Sequence, residues 1–205
     1  LKSFGVDRII SLGDVASLGP SPIAALRTLV SSGCDLILGN HDEFLLEPNK
    51  ARAYTKIPVI LDSVDWAARQ LEDEDTQALA TFTESRELDV DGVKICCFHG
   101  SSRSMTDDIL ATTPGDSIDE MFPEGYEAAI TAVGHTHIPM IRQHRGRLIV
   151  NPGSVGMPFE SYVGGAAPVV LPRAEYALVT IDNGTISVTL RRLDLDQEAL
   201  REEVA

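Results

Sequence analysis

Four short polar motifs carry the residues of this chain that could do chemistry, and each motif follows an apolar run. They are Gly13-Asp14, Gly39-Asn40-His41-Asp42, His99-Gly100 and Gly134-His135-Thr136-His137. Aspartate, asparagine and histidine side chains offer mixed oxygen and nitrogen ligands with no thiolate, a set that suits transition metals. The inventory is typical of a hydrolytic centre that uses two metal ions.

The apolar runs ahead of the motifs predict the elements that position them. Short runs rich in Val and Ile are typical of buried parallel strands, so we expect strands over residues 7–12, 34–38, 93–98 and 129–133. Ligands of open α/β sheets bind beyond the carboxyl ends of such strands. The sequence therefore predicts that the motif side chains gather on one rim.

Helices are expected between and beside these strands. Ser21-Pro22 is a typical N-cap and first-turn pair for a helix over residues 23–32. Residues 43–88 look mainly helical, with helical patterns over 62–71 and 74–82, and we interpret them as an insertion flanking the site. A length of 205 residues favours a single domain over 1–205.

The last third of the chain predicts a short acidic helix and three more strands. The helix is expected near residues 116–122, and the strands over 147–150, 176–181 and 186–193. Asp182-Asn183-Gly184-Thr185 between the final two strands is a strong hairpin signal. Asn151-Pro152-Gly153-Ser154 follows the strand before them and suggests a turn that approaches a ligand closely.

Each motif also has an explanation that involves no chemistry. Asn40 could be a helix N-cap, His41 could lie on the surface, and His99 could be a satisfied histidine at the core edge. The paired histidines of Gly134-His135-Thr136-His137 are the sharpest signal, because alternate residues of an extended segment point to the same side. His144 lies among Gln143, Arg145 and Arg147, and we expect it to be solvated.

Two further features of the sequence are a pair of adjacent carboxylates and three cysteines. Asp107-Asp108 could be metal ligands, but paired loop carboxylates are more often helix caps. The cysteines are Cys34, Cys96 and Cys97, an odd count with one adjacent pair, which argues against disulfides. We expect reduced core thiols in a cytoplasmic protein.

The bulk composition limits the classes of partner. The chain has 31 acidic and 17 basic residues and a net charge of −14, which disfavours stable binding of nucleic-acid duplexes. A small phosphorylated substrate remains compatible, because bound divalent cations would dominate the local field. The sequence contains no run of 18 apolar residues, so a membrane span is not expected. The sequence does not indicate an oligomeric state.

The order and spacing of the four motifs resemble the calcineurin-like metallophosphoesterases, over residues 7–194. The chain is most similar to the small bacterial and archaeal phosphodiesterase-type branch. That closer resemblance rests on Gly19-Pro20, on the run from Asn151 to Gly156 and on the run from Pro172 to Ala177. It implies an α/β fold with four layers, an α/β/β/α sandwich.

The resemblance also implies a role for each motif residue. Asp14 would bridge two divalent transition-metal ions, with Asn40, His99 and His135 completing one metal site and His137 serving the other. His41 would face the leaving-group oxygen. Manganese is the first expectation, with iron, zinc and nickel as alternatives.

The sequence departs from the family pattern in two places. The family's opening Asp-x-His motif does not occur ahead of Gly13-Asp14, and we expect the strand and helix that carry it, roughly 25–30 residues, to precede Leu1. Phosphoprotein phosphatases of the superfamily carry Gly-Asp-x-x-Asp-Arg-Gly, whereas this chain has Ser17 and Leu18 in place of the second Asp and the Arg. That activity is therefore not expected.

The function implied is a dinuclear metal-dependent phosphoesterase. It would hydrolyse phosphodiester or nucleotide pyrophosphate bonds through a hydroxide that bridges the metals. The alternative is a catalytically silent scaffold that uses this fold to bind a protein partner. The absent opening motif slightly favours the scaffold, whereas the intact Asn40-His41 pair and both histidines of Gly134-His135-Thr136-His137 count against it.

Overall fold

A computed structural model of the chain describes residues 5–164 and 168–199. The chain divides into two compact units, a first unit of Leu1–Arg86 and a second unit of Glu87–Ala205. Each unit has its own cluster of buried apolar side chains. The single domain predicted over residues 1–205 stays a prediction.

The first unit places a short parallel strand pair beside five helices. Its elements are β1 (Ile10–Ser11), α1 (Pro22–Ser31), β2 (Asp35–Leu36), α2 (Asn40–Leu46), α3 (Pro48–Tyr54), α4 (Pro58–Ala68) and α5 (Asp73–Leu79). β1 pairs with β2 in parallel, and an isolated parallel bridge joins Ile37 to Thr83. The predicted strands are therefore present but much shorter than their apolar runs.

The first unit buries one apolar face of each main helix. Leu26 of α1, Phe44 of α2, Val64 of α4 and Leu79 of α5 lie in one cluster, together with Ala16 from the loop after β1. Proline begins α1, α3 and α4, because its missing N–H is not needed in the first turn and its φ is already helical. Burial of Ala16 anchors the loop that carries Asp14.

The segment between residues 43 and 88 is mainly helical, as predicted. The structure places α4 at Pro58–Ala68, four residues earlier than the expected start near Asp62. Pro58 is the start signal that the prediction overlooked, and it places Val59, Ile60 and Leu61 in the first turns of the helix.

The second unit contains a mixed sheet of five strands. They are β3 (Ser85–Val90), β4 (Val93–Phe98), β5 (Ile130–Ala132), β6 (Met140–His144) and β7 (Arg147–Asn151), in the order β3-β4-β5-β7-β6. β4, β5 and β7 run parallel to one another, and β6 is antiparallel to β7. The parallel centre is buried, as expected for strands rich in Val and Ile.

A helix and a hairpin complete the second unit. The helix α6 (Gly115–Glu120) buries Ile118 in the same apolar cluster as Cys96, Val133 and Ile149. The hairpin consists of β8 (Arg173–Asp182) and β9 (Thr185–Asp194), paired in antiparallel register from Arg173–Asp194 to Asp182–Thr185. Its turn residues Asn183 and Gly184 both have positive φ, 47° and 76°, which confirms the predicted hairpin signal.

The predicted α/β class is confirmed, and two strands were not predicted. β3 is largely exposed, and β6 reads Met-Ile-Arg-Gln-His, so neither shows the apolar run that revealed the other strands. None of the helices within residues 5–164 and 168–199 has the length and apolarity needed to cross a membrane.

Candidate functional site

Asp42 organises the two motif loops of the first unit. Its buried carboxylate accepts the backbone N–H groups of Asp14 and Val15, each at 2.8 Å, and that of Gly39 at 3.0 Å. The loop after β1 is thereby tied to the loop after β2. This role was not predicted, although an acidic residue at the third position of a helix is a known cap of the preceding backbone.

Gly39 is required because the Asp14 loop passes directly against it. A Cβ atom on residue 39 would lie 2.2 Å from Oδ1 of Asp14 and 2.4 Å from its backbone nitrogen. Asp14 itself has a positive φ of 56°, a conformation that aspartate tolerates better than most residues. Strained backbone of this kind is found where a side chain must be aimed for function.

The structure brings His41 beside Asp14. The backbone N–H of His41 donates to Oδ1 of Asp14 at 2.8 Å, and its ring lies 5.2 Å from that of Phe44. Ser17 Oγ lies 2.9 Å from Nδ1 of His41, a contact that sequence reasoning did not anticipate. The ring of His41 is therefore held at a fixed place in the loop cluster.

Asn40 is not the N-cap of α2, so the alternative that it serves only as a helix cap is wrong. Gly39 occupies the N-cap position of α2, and Asn40 is the first helical residue. Its side chain is 2% exposed. The capping contact of α2 is therefore made by Asp42 and not by Asn40.

His99 and His135 face each other in the second unit. They follow β4 and β5, which are parallel neighbours, and Nε2 of His99 lies 3.3 Å from Nδ1 of His135. The rings meet edge to face with centroids 5.2 Å apart. Two imidazole nitrogens that converge in this way suit joint binding of one metal ion.

The segment that carries His135 and His137 is a compact turn. Both residues have positive φ, 59° and 57°, so the expectation of an extended segment with alternating side chains was wrong. Asn151 Nδ2 fixes the turn by donating to the carbonyl of Gly134 at 2.7 Å and to Thr136 Oγ1 at 3.0 Å. Asn151 is the last residue of β7, so three parallel strands jointly shape this part of the second unit.

The orientation of His137 is set by its Nδ1 atom. Nδ1 lies 2.7 Å from the carbonyl oxygen of Met157, and the ring stacks on Phe159 with centroids 4.4 Å apart. A carbonyl oxygen only accepts hydrogen bonds, so Nδ1 carries the proton and the lone pair of the neutral ring is on Nε2. This is the arrangement of a histidine prepared to bind a metal through Nε2.

The carboxylates Asp107 and Asp108 have different environments, and neither caps α6. Asp108 Oδ1 lies 3.6 Å from Nε2 of His135, and its Oδ2 accepts the hydroxyl of Tyr162. Burial acts to raise the pKa of Asp107, but hydrogen bonds from Arg103 and Ser101 hold that pKa below its usual range. Asp108 thus faces His135, and Asp107 stabilises the loop after β4 through its hydrogen bonds with Ser101 and Arg103.

His144 is buried, and the expectation that it is solvated was wrong. It ends β6, is 9% exposed and contacts Oδ1 of Asp119 on α6 through Nε2 at 2.8 Å. Hydrogen bonds from Arg145 and His144 lower the pKa of Asp119 to about 2. His144 is a structural histidine, which agrees with its exclusion from the site.

The cysteines carry no disulfide. Cys96 and Cys97 are buried in β4, and Cys34 is half-buried beside β2. Cys96 and Cys97 are core thiols as predicted, whereas Cys34 is only half-buried and does not belong to the core.

The chain is similar to known proteins in sequence and in structure. The uncharacterized protein MJ0912 of Methanocaldococcus jannaschii is 25% identical over 173 residues, which are 77% of this chain and 68% of that protein. The crystal structure of the hypothetical protein PH1004 of Pyrococcus horikoshii has a TM-score of 0.75 at 19% identity, over 100% of this chain and 82% of that one.

A second solved structure carries a family name. The crystal structure of a metallophosphoesterase from Sphaerobacter thermophilus has a TM-score of 0.71 at 25% identity, over 97% of this chain and 82% of that one. Both likenesses confirm the predicted fold. The profile of the calcineurin-like phosphoesterase superfamily domain matches residues 1–184. The chain therefore belongs to the calcineurin-like phosphoesterase superfamily.

Proposed function

We propose that this protein is a dinuclear metal-dependent phosphoesterase that hydrolyses phosphodiester or nucleotide pyrophosphate bonds. The observation that carries the proposal is the arrangement of three histidine rings, whose nitrogens are placed as metal ligands require. Nitrogens of His99 and His135 converge to 3.3 Å, and the proton of His137 is fixed on Nδ1 by the Met157 carbonyl. Membership of the superfamily supplies the reaction class.

The donor set fits divalent transition metals. We propose that the ligands of the two ions are Asp14, Asn40, His99, His135 and His137. Imidazole nitrogens with carboxylate and amide oxygens suit Mn²⁺, Fe, Zn²⁺ or Ni²⁺ better than Ca²⁺, and manganese is our first choice. When bound, two such cations lower the pKa of water and neutralise the charge of phosphoryl oxygens.

The protein's own residues would contribute positioning and charge stabilisation. Asp42 and Gly39 fix the backbone that aims Asp14 and His41. We assign His41 to the leaving-group oxygen, whose developing charge it stabilises or to which it gives a proton. Asp108 beside Nε2 of His135 orients that ligand, since a ligating imidazole commonly points its second nitrogen at a carboxylate.

The substrate class follows from the reaction and from charge. With a net charge of −14, the chain would repel long phosphate polymers, so we propose a small phosphorylated substrate. Free core thiols fit a reducing compartment, and we propose that the protein acts in the cytoplasm.

Removal of the His41 imidazole tests the assignment. Hydrolysis of bis(4-nitrophenyl) phosphate by the Mn²⁺-loaded protein should fall by about 10²–10⁴ in kcat for His41→Ala, the range of one general acid. Metal content, measured by elemental analysis, should be unchanged.

His144 offers the matched control for loss of a histidine. His144→Gln should hydrolyse at nearly the wild-type rate once folding is confirmed by circular dichroism, because His144 contacts Asp119 and not the motif loops. Hydrolysis by His41→Ala at the wild-type rate would show that His41 has no catalytic part. A metal-loaded wild-type protein that hydrolyses nothing would instead support the scaffold alternative.

A further inference from the structure

We propose that the second unit holds a further binding site, a pocket that takes a small sugar phosphate. The pocket lies where β4, β5 and β7 begin, whereas His99 and His135 follow the opposite ends of β4 and β5. Its volume is about 420 Å³, which is the size of a small-molecule site. None of the residues that line it is a metal ligand proposed above, so this inference stands independently of the proposed hydrolysis.

Three cations line this pocket, and the sheet places two of them in one row. The three are Lys94, Arg145 and Arg147. Lys94 lies in β4 and Arg147 begins β7. The parallel register of β4, β5 and β7 brings these two residues level with each other, with Ala129 between them. Residues that are level in parallel strands project their side chains on the same face of the sheet, so the charges of Lys94 and Arg147 are directed to one side.

Arg147 is held in place by aromatic rings and has donor capacity that the protein does not use. Its guanidinium carbon lies 5.4 Å from the ring centroid of Phe122 and 5.1 Å from that of Tyr126. A guanidinium has five N–H groups, but Nη1 donates only a long hydrogen bond, 3.3 Å, to the carbonyl of Tyr126. Its Nε is buried without a hydrogen-bond partner in the described part of the chain. A fixed guanidinium of this kind suits an oxyanion, which it binds through several N–H groups at once.

The carboxylates near the pocket compensate Arg147 least of the three cations. Asp119 lies 2.6 Å from Arg145 but 3.9 Å from Arg147. Lys94 pairs with Glu87 at 3.3 Å, and both side chains are largely exposed, so this ion pair is weak and open to exchange. On a chain of net charge −14, three clustered cations make the pocket a local exception that attracts an anion.

Glu127 is the reason for proposing a ligand that carries hydroxyl groups. Its exposed carboxylate lines the same pocket, where it would repel a bare phosphate ion. An ionised carboxylate only accepts hydrogen bonds, and sugar hydroxyls are donors that carboxylates bind in nucleotide sites. The cations would bind the phosphate group and Glu127 the sugar. The combination therefore favours a phosphate ester of a sugar over inorganic phosphate.

Ribose 5-phosphate is the probe for this site. It is titrated into the intact, metal-free chain with EDTA present, while ¹H–¹⁵N NMR records the backbone amides. The amides of Gly92, Ala129 and Gly146, which line the pocket, should shift and saturate together, whereas ribose, which has no phosphate, should shift none of them. Shifts confined to the loops that carry His99 and His135, or no shifts at millimolar ribose 5-phosphate, would overturn the proposal.

Charge reversal at Lys94 tests whether binding is specific to the pocket. Lys94→Glu changes an exposed side chain and should raise the Kd for ribose 5-phosphate about tenfold or more, because a charge-assisted contact becomes a repulsion. Arg191→Glu makes the same change of charge at an exposed position of β9 in the same unit and should leave the Kd unchanged. Equal weakening by the two variants would show only general attraction of an anion and would overturn the site.

Two further variants separate the ligand class and the two sites. Glu127→Gln should weaken binding of ribose 5-phosphate and strengthen that of inorganic phosphate, and a loss of neither would overturn the assignment of the sugar to Glu127. His99→Ala should bind ribose 5-phosphate as the wild type does, because His99 lies beyond the other end of β4. Since binding is measured without metal, failure of this proposal and failure of the proposed hydrolysis are distinguishable.

Discussion

At the scale of single residues, the first unit depends on close approach between two loops. Asp42 accepts hydrogen bonds from three backbone N–H groups. Residue 39 is a glycine because any side chain there would collide with Asp14. These contacts fix Asp14 in a left-handed conformation. Since the same loops carry Asn40 and His41, the geometry of the ligands that we propose in the first unit is set by residues to which we assign no contact with substrate.

Gly39→Ala should therefore damage both the fold and the site. The added methyl would meet the backbone nitrogen of Asp14 at 2.4 Å, and overpacking against backbone costs about 1–3 kcal/mol. Urea denaturation should show this loss in the free energy of unfolding.

Gly19→Ala is the matched control for this substitution. A Cβ on residue 19 meets nothing within 4 Å, so its effect should stay within about 0.5 kcal/mol. If the two variants were equally stable, the close packing of Gly39 against Asp14 would be refuted.

The motif residues could be identified from the sequence, but the residues that contact and orient their side chains could not. Each motif follows an apolar run, which marks it without knowledge of the fold. Ser17 and Met157 contact site histidines across loops whose shapes depend on left-handed residues such as Asp14 and Leu18. Positive φ at residues other than glycine leaves no clear signature in a single sequence.

At the scale of secondary-structure elements, strands that show an apolar run or a hairpin signal were predicted, and β3 and β6, which show neither, were not. Val93–Phe98 was predicted to the residue, because five of its six side chains are buried. The β6 strand was overlooked because only its first two residues are apolar and the following Arg-Gln-His run is charged or polar. The wrong expectation for His144 followed from that omission. An apolar run in the sequence indicates a buried strand, whereas the strands at the edges of the sheet, β3 and β6, bury few side chains.

The contact between α6 and β6 should make the second unit sensitive to acid. Arg145 and His144 lower the pKa of Asp119 to about 2. A carboxylate with a depressed pKa contributes stability above its unfolded pKa of about 3.9, and that contribution is lost as pH falls toward the folded value. The thermal midpoint of the wild type should therefore fall more steeply than that of Asp119→Asn between pH 4 and pH 2.

Asp116→Asn is the control on the same helix. Its carboxylate is exposed and belongs to α6, and this variant should retain the steep wild-type dependence on pH. Parallel curves for the wild type and Asp119→Asn would show that the Asp119 contacts do not stabilise the folded state.

At the scale of the whole molecule, stability and function should be linked through metal. A ligand that binds only the folded state at 100 times its Kd stabilises that state by about 2.7 kcal/mol. Saturating Mn²⁺ should therefore raise the thermal midpoint of the wild type. In His99→Ala the upward shift should shrink strongly, because one of the two converging nitrogens is removed.

His144→Gln should retain the full upward shift with Mn²⁺, although its midpoint without metal will be lower because the contact with Asp119 is lost. Comparison of the Mn²⁺-induced shifts, and not of the midpoints themselves, separates an effect on metal binding from an effect on the stability of the metal-free protein. A full shift in His99→Ala would exclude His99 from the metal centre.

We propose that two divalent metal ions make this superfamily member a phosphoesterase. The most direct test is to add Mn²⁺ stepwise to the intact, metal-free protein while recording hydrolysis of bis(4-nitrophenyl) phosphate. We expect no turnover without metal and a rise in turnover that levels off at two equivalents of Mn²⁺ per chain. Absence of turnover at any Mn²⁺ concentration, with two ions bound, would contradict the proposal and favour a scaffold that binds a protein partner.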